Sequence, residues 1–291
     1  MFLYKYVVKP FLLSLSLLTR IPVRTGDADD ADWGRSAAYF PLCGYILAAI
    51  AALPFMAMAY FSSNANANYA IIAIGDFLFV AGIAWMTGMF HIDGFCDACD
   101  AFTSTAATKE DRLKIMKDPH PGAAAVAYLI FLVAGKLVMF FFVIVIAEIH
   151  VTERFVMFFK ENLQQNLNLF RTCMVLGVLA FLSAIPVIAR FAMLFLASIS
   201  KYPREKGTGA VIVGKVPVLS IVIGALWLLP FGFFIPVTNL VVALVLSGIV
   251  VMYWKIKADR LLGGVTGDVL GACCESVELA VALGLVLPEF F

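Results

Sequence analysis

Three aspartates at helical spacing are the residues of this chain that most clearly indicate chemistry. Asp93, Asp97 and Asp100 lie in segment 90–100, at the end of a long apolar stretch. On an α-helix this spacing places the three carboxylates on one face, about 60° wide. Carboxylates this close repel one another, so the pattern predicts a divalent cation of the Mg²⁺ type and, at a membrane edge, chemistry on a phosphate. The alternative is a solvated acidic helix end, which such apolar surroundings disfavour.

A second acidic motif begins in segment 255–272. Three of its glycines permit the close backbone approach that a phosphate needs: Gly263, Gly264 and Gly267. Thr266 is predicted to cap a helix that starts just after it. On that helix Asp268 and Glu275 share a face, and Glu278 lies about 80° round from Asp268. The clustering of acids beside an apolar span favours a functional site, the alternative being a glycine hinge between two membrane helices with capping acids.

Basic residues in two further segments are candidates for holding phosphates. Lys114 and Lys117 precede a proline-rich stretch, and loop 201–209 carries Arg204 and Lys206 among glycines. A positively charged loop that only flanks a membrane helix would have the same composition, so both interpretations stay open for each residue.

Three titratable residues lie inside or next to apolar stretches. Lys136 and Arg190 fall within predicted spans, where a lone charge is costly, so each is expected to face a partner or a polar cavity. His91 precedes the aspartates but points to a different helix face, and is as apt to orient a neighbour as to react.

The elements that position these residues are membrane helices. The chain has 291 residues, of which 63% are hydrophobic and 14% charged, against roughly 25% charged in soluble domains. This composition predicts an integral membrane protein with the lipid bilayer as its partner. The net charge of +1 says nothing about nucleic acid, but no basic run stands out as a nucleic-acid footprint, so we expect no nucleic-acid partner.

The apolar stretches predict an all-α, polytopic membrane helical bundle of six to seven transmembrane helices, forming one domain over 1–291. Six stretches are long enough to span: 39–61, 71–90, 123–147, 172–199, 216–234 and 237–254. The last two are expected to form a hairpin, and the shorter stretch 277–287 is a candidate seventh helix. Residues 10–19 are too short to span, so we predict an interfacial or re-entrant helix there, with Lys5 and Lys9 near the headgroups.

The distribution of Lys and Arg predicts the orientation. With six spans, segments 1–38, 91–122, 200–215 and 255–276 share one side and carry 16 of the 21 Lys and Arg residues, whereas the other side carries three. By the positive-inside rule the first side is cytoplasmic, which places both acidic motifs at the cytoplasmic face of an inner, cytoplasmic membrane.

Together these segments resemble the adenosylcobinamide-GDP ribazoletransferase family, also called cobalamin-5′-phosphate synthase, over nearly the whole chain. The resemblance rests on these stretches: Leu18-Thr19-Arg20-Ile21-Pro22, Phe90-His91-x-Asp93-Gly94-x-x-Asp97-x-x-Asp100, Ile115-Met116-Lys117-Asp118, Lys136, Arg190, the Tyr202 to Gly209 loop, and Gly263-Gly264-x-Thr266-Gly267-Asp268-x-x-Gly271-Ala272. The chain departs from the family pattern at Ala101, where the family usually has glycine, and at 123–125, where a second glycine is usual.

The resemblance implies a membrane-bound, Mg²⁺-dependent transferase. Such an enzyme condenses adenosylcobinamide-GDP with α-ribazole or its 5′-phosphate, forms a phosphodiester to the ribose 3′-hydroxyl and releases GMP. On this reading the metal ligands are Asp93, Asp97, Asp100, Asp268 and Glu275. The residues expected to hold substrate and phosphate are Lys117, Arg190, Arg204, Lys206, Gly264 and Thr266. The proton acceptor is Asp97, Asp100 or His91.

The same residues are compatible with two other functions. An ion-coupled transporter would use the acids and Lys136 as an ion path, but its acids should lie near mid-membrane rather than at one face. A CDP-alcohol phosphotransferase-like enzyme would also use an aspartate-rich helix in a membrane protein. The number of metal ions, the lower-ligand base and the formation of a homo-oligomer stay open at this stage.

Overall fold

The computed structural model describes residues 3–61, 68–159 and 167–291 and, in that part of the chain, is built from helices without a β-strand. The helices are α1 Lys9–Leu18, α2 Asp30–Ser36, α3 Phe40–Phe61, α4 Asn68–Met86, α5 Phe90–Thr103, α6 Lys109–Ile115, α7 Ala123–Phe159, α8 Leu167–Ser198, α9 Val218–Leu226, α10 Phe231–Phe234, α11 Val237–Leu262 and α12 Gly267–Val286. Short turns of other helix types cover Tyr4–Val8, Ala37–Tyr39, Thr208–Val211 and Leu287–Phe290. The all-α fold class is confirmed.

Six helices of the described chain are long and apolar enough to cross a membrane. They are Asp30–Phe61, Tyr69–Met86, Ala123–Met157, Asn168–Ser198, Val237–Leu262 and Gly267–Phe290. This confirms the predicted polytopic bundle, and the chain is a multi-pass membrane protein. The predicted span 123–147 proved too short, since α7 continues twelve residues further, to Phe159.

The predicted span 216–234 was wrong as a single helix. It consists of α9 and the one-turn α10, because Pro230 has no N–H to donate and its ring clashes with the carbonyl four residues earlier, where α9 ends. The segment starts beside α2, where Ser220 Oγ donates to the Gly34 carbonyl at 3.3 Å. It ends beside α7, where Arg154 donates to the carbonyls of Phe233 and Phe234. Segment 218–234 therefore crosses the bundle as two short helices separated by a turn, and the chain returns through α11.

The C-terminal helix is longer and more central than the stretch 277–287 predicted. It starts at Gly267, and 83% of its most apolar window is buried, the largest share among the six spans of the described chain. Acidic and small residues lower the hydropathy of its first half, so the apolar stretch in the sequence marked only the second half of the helix. α12 packs against α5, α7, α8 and α11 and forms the centre of the bundle.

The N-terminal helix is short, as predicted. Leu13, Leu15 and Leu18 of α1 are buried, and Lys9 forms an ion pair with Asp32 of α2 at 2.5 Å. Ten residues span about 15 Å, which is half of a bilayer core. Its interfacial placement stays a prediction.

Small residues bring α5 and α12 into backbone contact. A Cβ added at Gly94 of α5 would lie 2.8 Å from the Asp268 Cα, and one added at Gly271 of α12 would lie 3.1 Å from the His91 Cα. Small residues at such crossings allow membrane helices to pack closely. The contact fixes the first two turns of α5 against the start of α12, and so brings the two acidic motifs together.

We expect Gly94→Ala to destabilise the protein by about 1–3 kcal/mol, because the added methyl group must push the Asp268 backbone away. The matched control is Gly248→Ala in α11, where an added Cβ meets nothing within 4 Å and alanine is the better helix former. The thermal unfolding midpoint in detergent measures both. A Gly94→Ala protein as stable as Gly248→Ala would contradict the close crossing.

Candidate active site

Carboxylates from α5 and α12 converge at one end of the bundle. Asp93 is exposed, Asp97 is half-buried, and the Asp268 side chain is 26% exposed. Burial, and then the negative charges of Asp93, Asp268 and Asp100, raises the pKa of Asp97 to about 7. The two acidic motifs, more than 160 residues apart in the chain, therefore form one electrostatic cluster, as the sequence predicted.

The turn before α12 holds Asp268 in place. Gly263 ends α11 in the left-handed conformation, with φ +79°, which glycine adopts without strain. Thr266 Oγ1 accepts from the Val269 N–H and donates to Asp268 Oδ2, both at 3.3 Å. The predicted cap at Thr266 is confirmed. Thr266 itself is fully buried, so it positions Asp268 and does not lie where a substrate could touch it.

Loop 201–209 places a guanidinium beside the carboxylates. Arg204 Nη1 lies 3.7 Å from Asp268 Oδ2, and the positive charge of Arg204 opposes the rise in the Asp97 pKa. The loop packs on the turn before α12 through the Val265 N–H, which donates to the Lys201 carbonyl at 2.8 Å. Gly264 touches that carbonyl and has no room for a side chain, so its role is to admit the loop. Of the predicted phosphate ligands, Arg204 is therefore the one that the structure brings to the acids.

The two lysines predicted to hold phosphate are exposed. Lys206 lies in the same loop as Arg204, and Lys117 lies in the loop between α6 and α7. In the described chain, neither side chain has a hydrogen bond or an ion pair, so both stay candidates for a ligand that is not present. Beyond Lys117 the loop turns at Asp118, which accepts from the His120 N–H and ring at 3.0 Å.

Asp100 has a role that the sequence did not reveal. Its two oxygens accept from the Gly122 N–H at 2.6 Å and the Ala125 N–H at 2.9 Å, and so cap the start of α7. A Cβ added at Gly122 would lie 2.7 Å from Asp100 Oδ1, so a larger residue there would displace the capping carboxylate. The spacing to α7 carries no sequence signal that could have found this contact. Asp100 therefore ties α5 to α7, with its oxygens turned to backbone donors.

We expect Asp100→Ala to lower the free energy of unfolding by about 1–2 kcal/mol, since α7 loses both capping bonds. Asp100→Asn should cost about half of that, because the amide oxygen can accept from one of the two N–H groups, whereas the amide nitrogen cannot accept from the other. Chemical unfolding of the two variants in detergent gives the comparison. Equal stability of Asp100→Ala and the unaltered protein would remove the capping assignment.

Glu275 and Arg190 belong to a buried ion-pair network, not to the aspartate cluster. Lys136 of α7 contacts Glu275 and lies 2.6 Å from Glu278, and Glu278 also contacts Arg190 of α8. None of these four residues is more than 4% exposed. The network explains how Lys136 and Arg190 are tolerated inside the bundle, as the sequence required. The structure therefore does not bring Glu275, a predicted metal ligand, or Arg190, a predicted phosphate ligand, to the aspartate cluster, and each has a buried charged partner.

His91 lies in the interior as well. It is fully buried against Gly271, and in the described chain neither ring nitrogen has a hydrogen-bond partner. Burial, and then the charge of Arg190, lowers the pKa of His91 to about 3, so the ring is neutral. A proton acceptor must touch the substrate, and the buried position of His91 therefore favours the aspartates over His91 for this role.

The donor set at the cluster fits Mg²⁺. No group of three or more His, Cys, Asp or Glu side chains in residues 3–61, 68–159 and 167–291 forms a ready-made metal site. Mg²⁺ does not need one, since it keeps several waters and binds through one or two carboxylates plus substrate phosphates. Asp93 and Asp268 could supply oxygen ligands to such an ion, and the mutual repulsion of these carboxylates and Asp97 would favour a cation among them.

Fold and site together define a class: a multi-pass helical membrane protein with an acidic, arginine-flanked site at one end of its bundle. Residues 10–286 match the family model described as cobalamin-5-phosphate synthase, and the chain belongs to that family. The resemblance drawn from the motifs is thereby confirmed, and it covers both acidic segments.

Curated relatives match along the full chain. A protein named adenosylcobinamide-GDP ribazoletransferase from Escherichia coli is 29% identical, covering 96% of this chain and 99% of its own. Proteins of the same name from Fusobacterium nucleatum and Clostridium tetani are 28% and 30% identical, over 98% and 97% of this chain and 99% and 97% of theirs. No solved structure matches the chain.

Proposed function

We propose that this protein is a membrane-bound adenosylcobinamide-GDP ribazoletransferase. It would join adenosylcobinamide-GDP to α-ribazole, or to its 5′-phosphate, and release GMP. The observation that carries the proposal is the convergence of Asp93, Asp97, Asp268 and Arg204 in a chain of the cobalamin-5-phosphate synthase family. Acids that hold a cation and a guanidinium that holds phosphate are the groups that phosphoryl transfer requires.

The reaction assigns a separate role to each residue. The ribose 3′-hydroxyl oxygen attacks the phosphorus that carries cobinamide, and the bond from that phosphorus to the bridging oxygen breaks, so that GMP leaves with the bridging oxygen. Asp97 accepts the hydroxyl proton, because its carboxylate, unlike that of Asp100, is engaged in no hydrogen bond with the described residues. Arg204 orients a phosphate from the side of loop 201–209.

Asp93 and Asp268 are the residues proposed to hold Mg²⁺ together with substrate oxygens. Bound Mg²⁺ would neutralise the charge that develops on the leaving GMP. Lys117 and Lys206, both exposed near this end, add positive charge that attracts the phosphorylated substrates. The excess of Lys and Arg on this side supports a cytoplasmic location of the site, in the inner membrane.

The proposal is tested with the purified full-length protein in lipid nanodiscs, supplied with Mg²⁺, adenosylcobinamide-GDP and α-ribazole 5′-phosphate. We expect GMP to form only when both substrates are present. EDTA should stop its release, and added Mg²⁺ should restore it. Absence of GMP would overturn the proposed reaction, whereas turnover that EDTA leaves unchanged would overturn only the metal assignment.

A further inference from the structure

A cavity lies at the end of the bundle opposite the aspartates. It has a volume of about 690 Å³, within the roughly 300–1,000 Å³ range of ligand sites in proteins. Four membrane helices line it: α3, α4, α7 and α8. On α7, Glu148 is 25 residues from Ala123, so along the helix axis the cavity lies about 37 Å from the point where Asp100 caps α7. The proposed reaction leaves this cavity unused.

Most of the described lining is apolar, and it includes three charged side chains. Phe55, Met56 and Val178 are typical of the wall, and Tyr69, which is 71% exposed, stands at the rim. The charged residues are Glu148, Glu153 and Arg171. The apolar wall favours a ligand with a hydrocarbon chain. The charged residues favour a ligand whose head group carries both a positive and a negative charge.

The charged groups lack strong partners of their own. In the described chain, Glu148 is half-buried and has no hydrogen bond or ion pair, and the same holds for Arg171. Glu153 has one ion-pair contact, to His150 at 3.9 Å. A carboxylate placed part-way inside a membrane span is costly without a counter-charge, so Glu148 calls for a cation in the cavity.

We propose that this cavity binds a zwitterionic phospholipid with a primary amine in its head group. The ammonium group would lie between Glu148 and Glu153, the phosphate would lie against Arg171, and an acyl chain would fill the apolar part. An anionic phospholipid fits less well, because two carboxylates face one guanidinium among the lining residues that the structure describes. The source is the bilayer, since membrane helices form the wall.

The experiment compares retention of phosphatidylethanolamine and phosphatidylglycerol with identical acyl chains by the delipidated full-length protein, measured by native mass spectrometry. We expect about tenfold stronger retention of phosphatidylethanolamine, the effect of one charge-assisted hydrogen bond. Glu148→Gln should abolish the preference, and Arg171→Gln should weaken retention of both lipids. Glu110→Gln, at the other end of the protein, is the control and should change nothing.

Ala59→Phe provides a test that leaves the charges intact, because Ala59 lines the cavity and the larger ring occupies it. We expect this variant to retain neither lipid while keeping its unfolding temperature. Equal retention of the two lipids by the unaltered protein, or an unchanged preference in both Glu148→Gln and Ala59→Phe, would overturn the proposal. Competition by glycerophosphoethanolamine alone at millimolar concentration would also overturn it, by showing a site for a soluble molecule.

Discussion

Asp97→Asn should lower the rate of GMP release by about 10²–10⁴-fold, the usual contribution of a positioned proton acceptor. Asp97 sits between Asp93 and Asp100 on α5 and faces Asp268 across the crossing with α12. Asparagine keeps the shape of the side chain and removes the charge that accepts the proton. We expect the loss in kcat rather than in KM, because Arg204 and the substrate contacts are untouched.

The same substitution should leave the fold intact. Burial and three neighbouring carboxylates disfavour the charged form of Asp97, so removing that charge relieves repulsion. The thermal unfolding midpoint of Asp97→Asn is therefore expected to equal or exceed that of the unaltered protein. Asp27→Asn, in the exposed loop between α1 and α2, makes the same chemical change away from the cluster and should alter neither quantity. Full activity of Asp97→Asn would end its assignment as proton acceptor.

The sequence predicted the parts of the site that depend on local spacing. The interval between Asp93 and Asp97 is a helical repeat, and Thr266 before Gly267 is a capping pattern. Both features can be predicted from local sequence, without knowing which helices pack nearby. The count of Lys and Arg in the segments between the spans predicted that both motifs lie on the same side of the membrane. The structure adds the contact itself, through Gly94 and the Asp268 backbone.

What the sequence could not supply was the choice of partner across helices. Spacing put Asp100 and Glu275 on the acidic faces, but the rotation of each helix decides which neighbour a face meets. Asp100 meets the start of α7, and Glu275 meets Lys136 in the centre of the bundle. The cost of burying Lys136 did predict that a partner exists, without saying which acid it is.

The second large expected effect concerns the buried ion-pair network around Lys136. Lys136→Met should destabilise the protein by about 3–5 kcal/mol, because Glu275 and Glu278 would then share Arg190 as their only buried cation within the described network. The double variant Lys136→Met with Glu275→Gln should recover most of that loss. It keeps the pair of Arg190 with Glu278 and leaves no unpaired charge, so total buried charge remains balanced.

A double-mutant cycle of unfolding in mixed detergent micelles measures the coupling, with Glu275→Gln as the fourth corner. The matched surface pair is Lys255 with Asp259 on α11, which is partly exposed and should yield less than about 1 kcal/mol in the same cycle. If Lys136→Met cost no more than Lys255→Met, the buried charges would not be holding α7 to α12. In that case the rotation of α12 that presents Asp268 to α5 would have to come from packing at Gly94 and Gly271 alone.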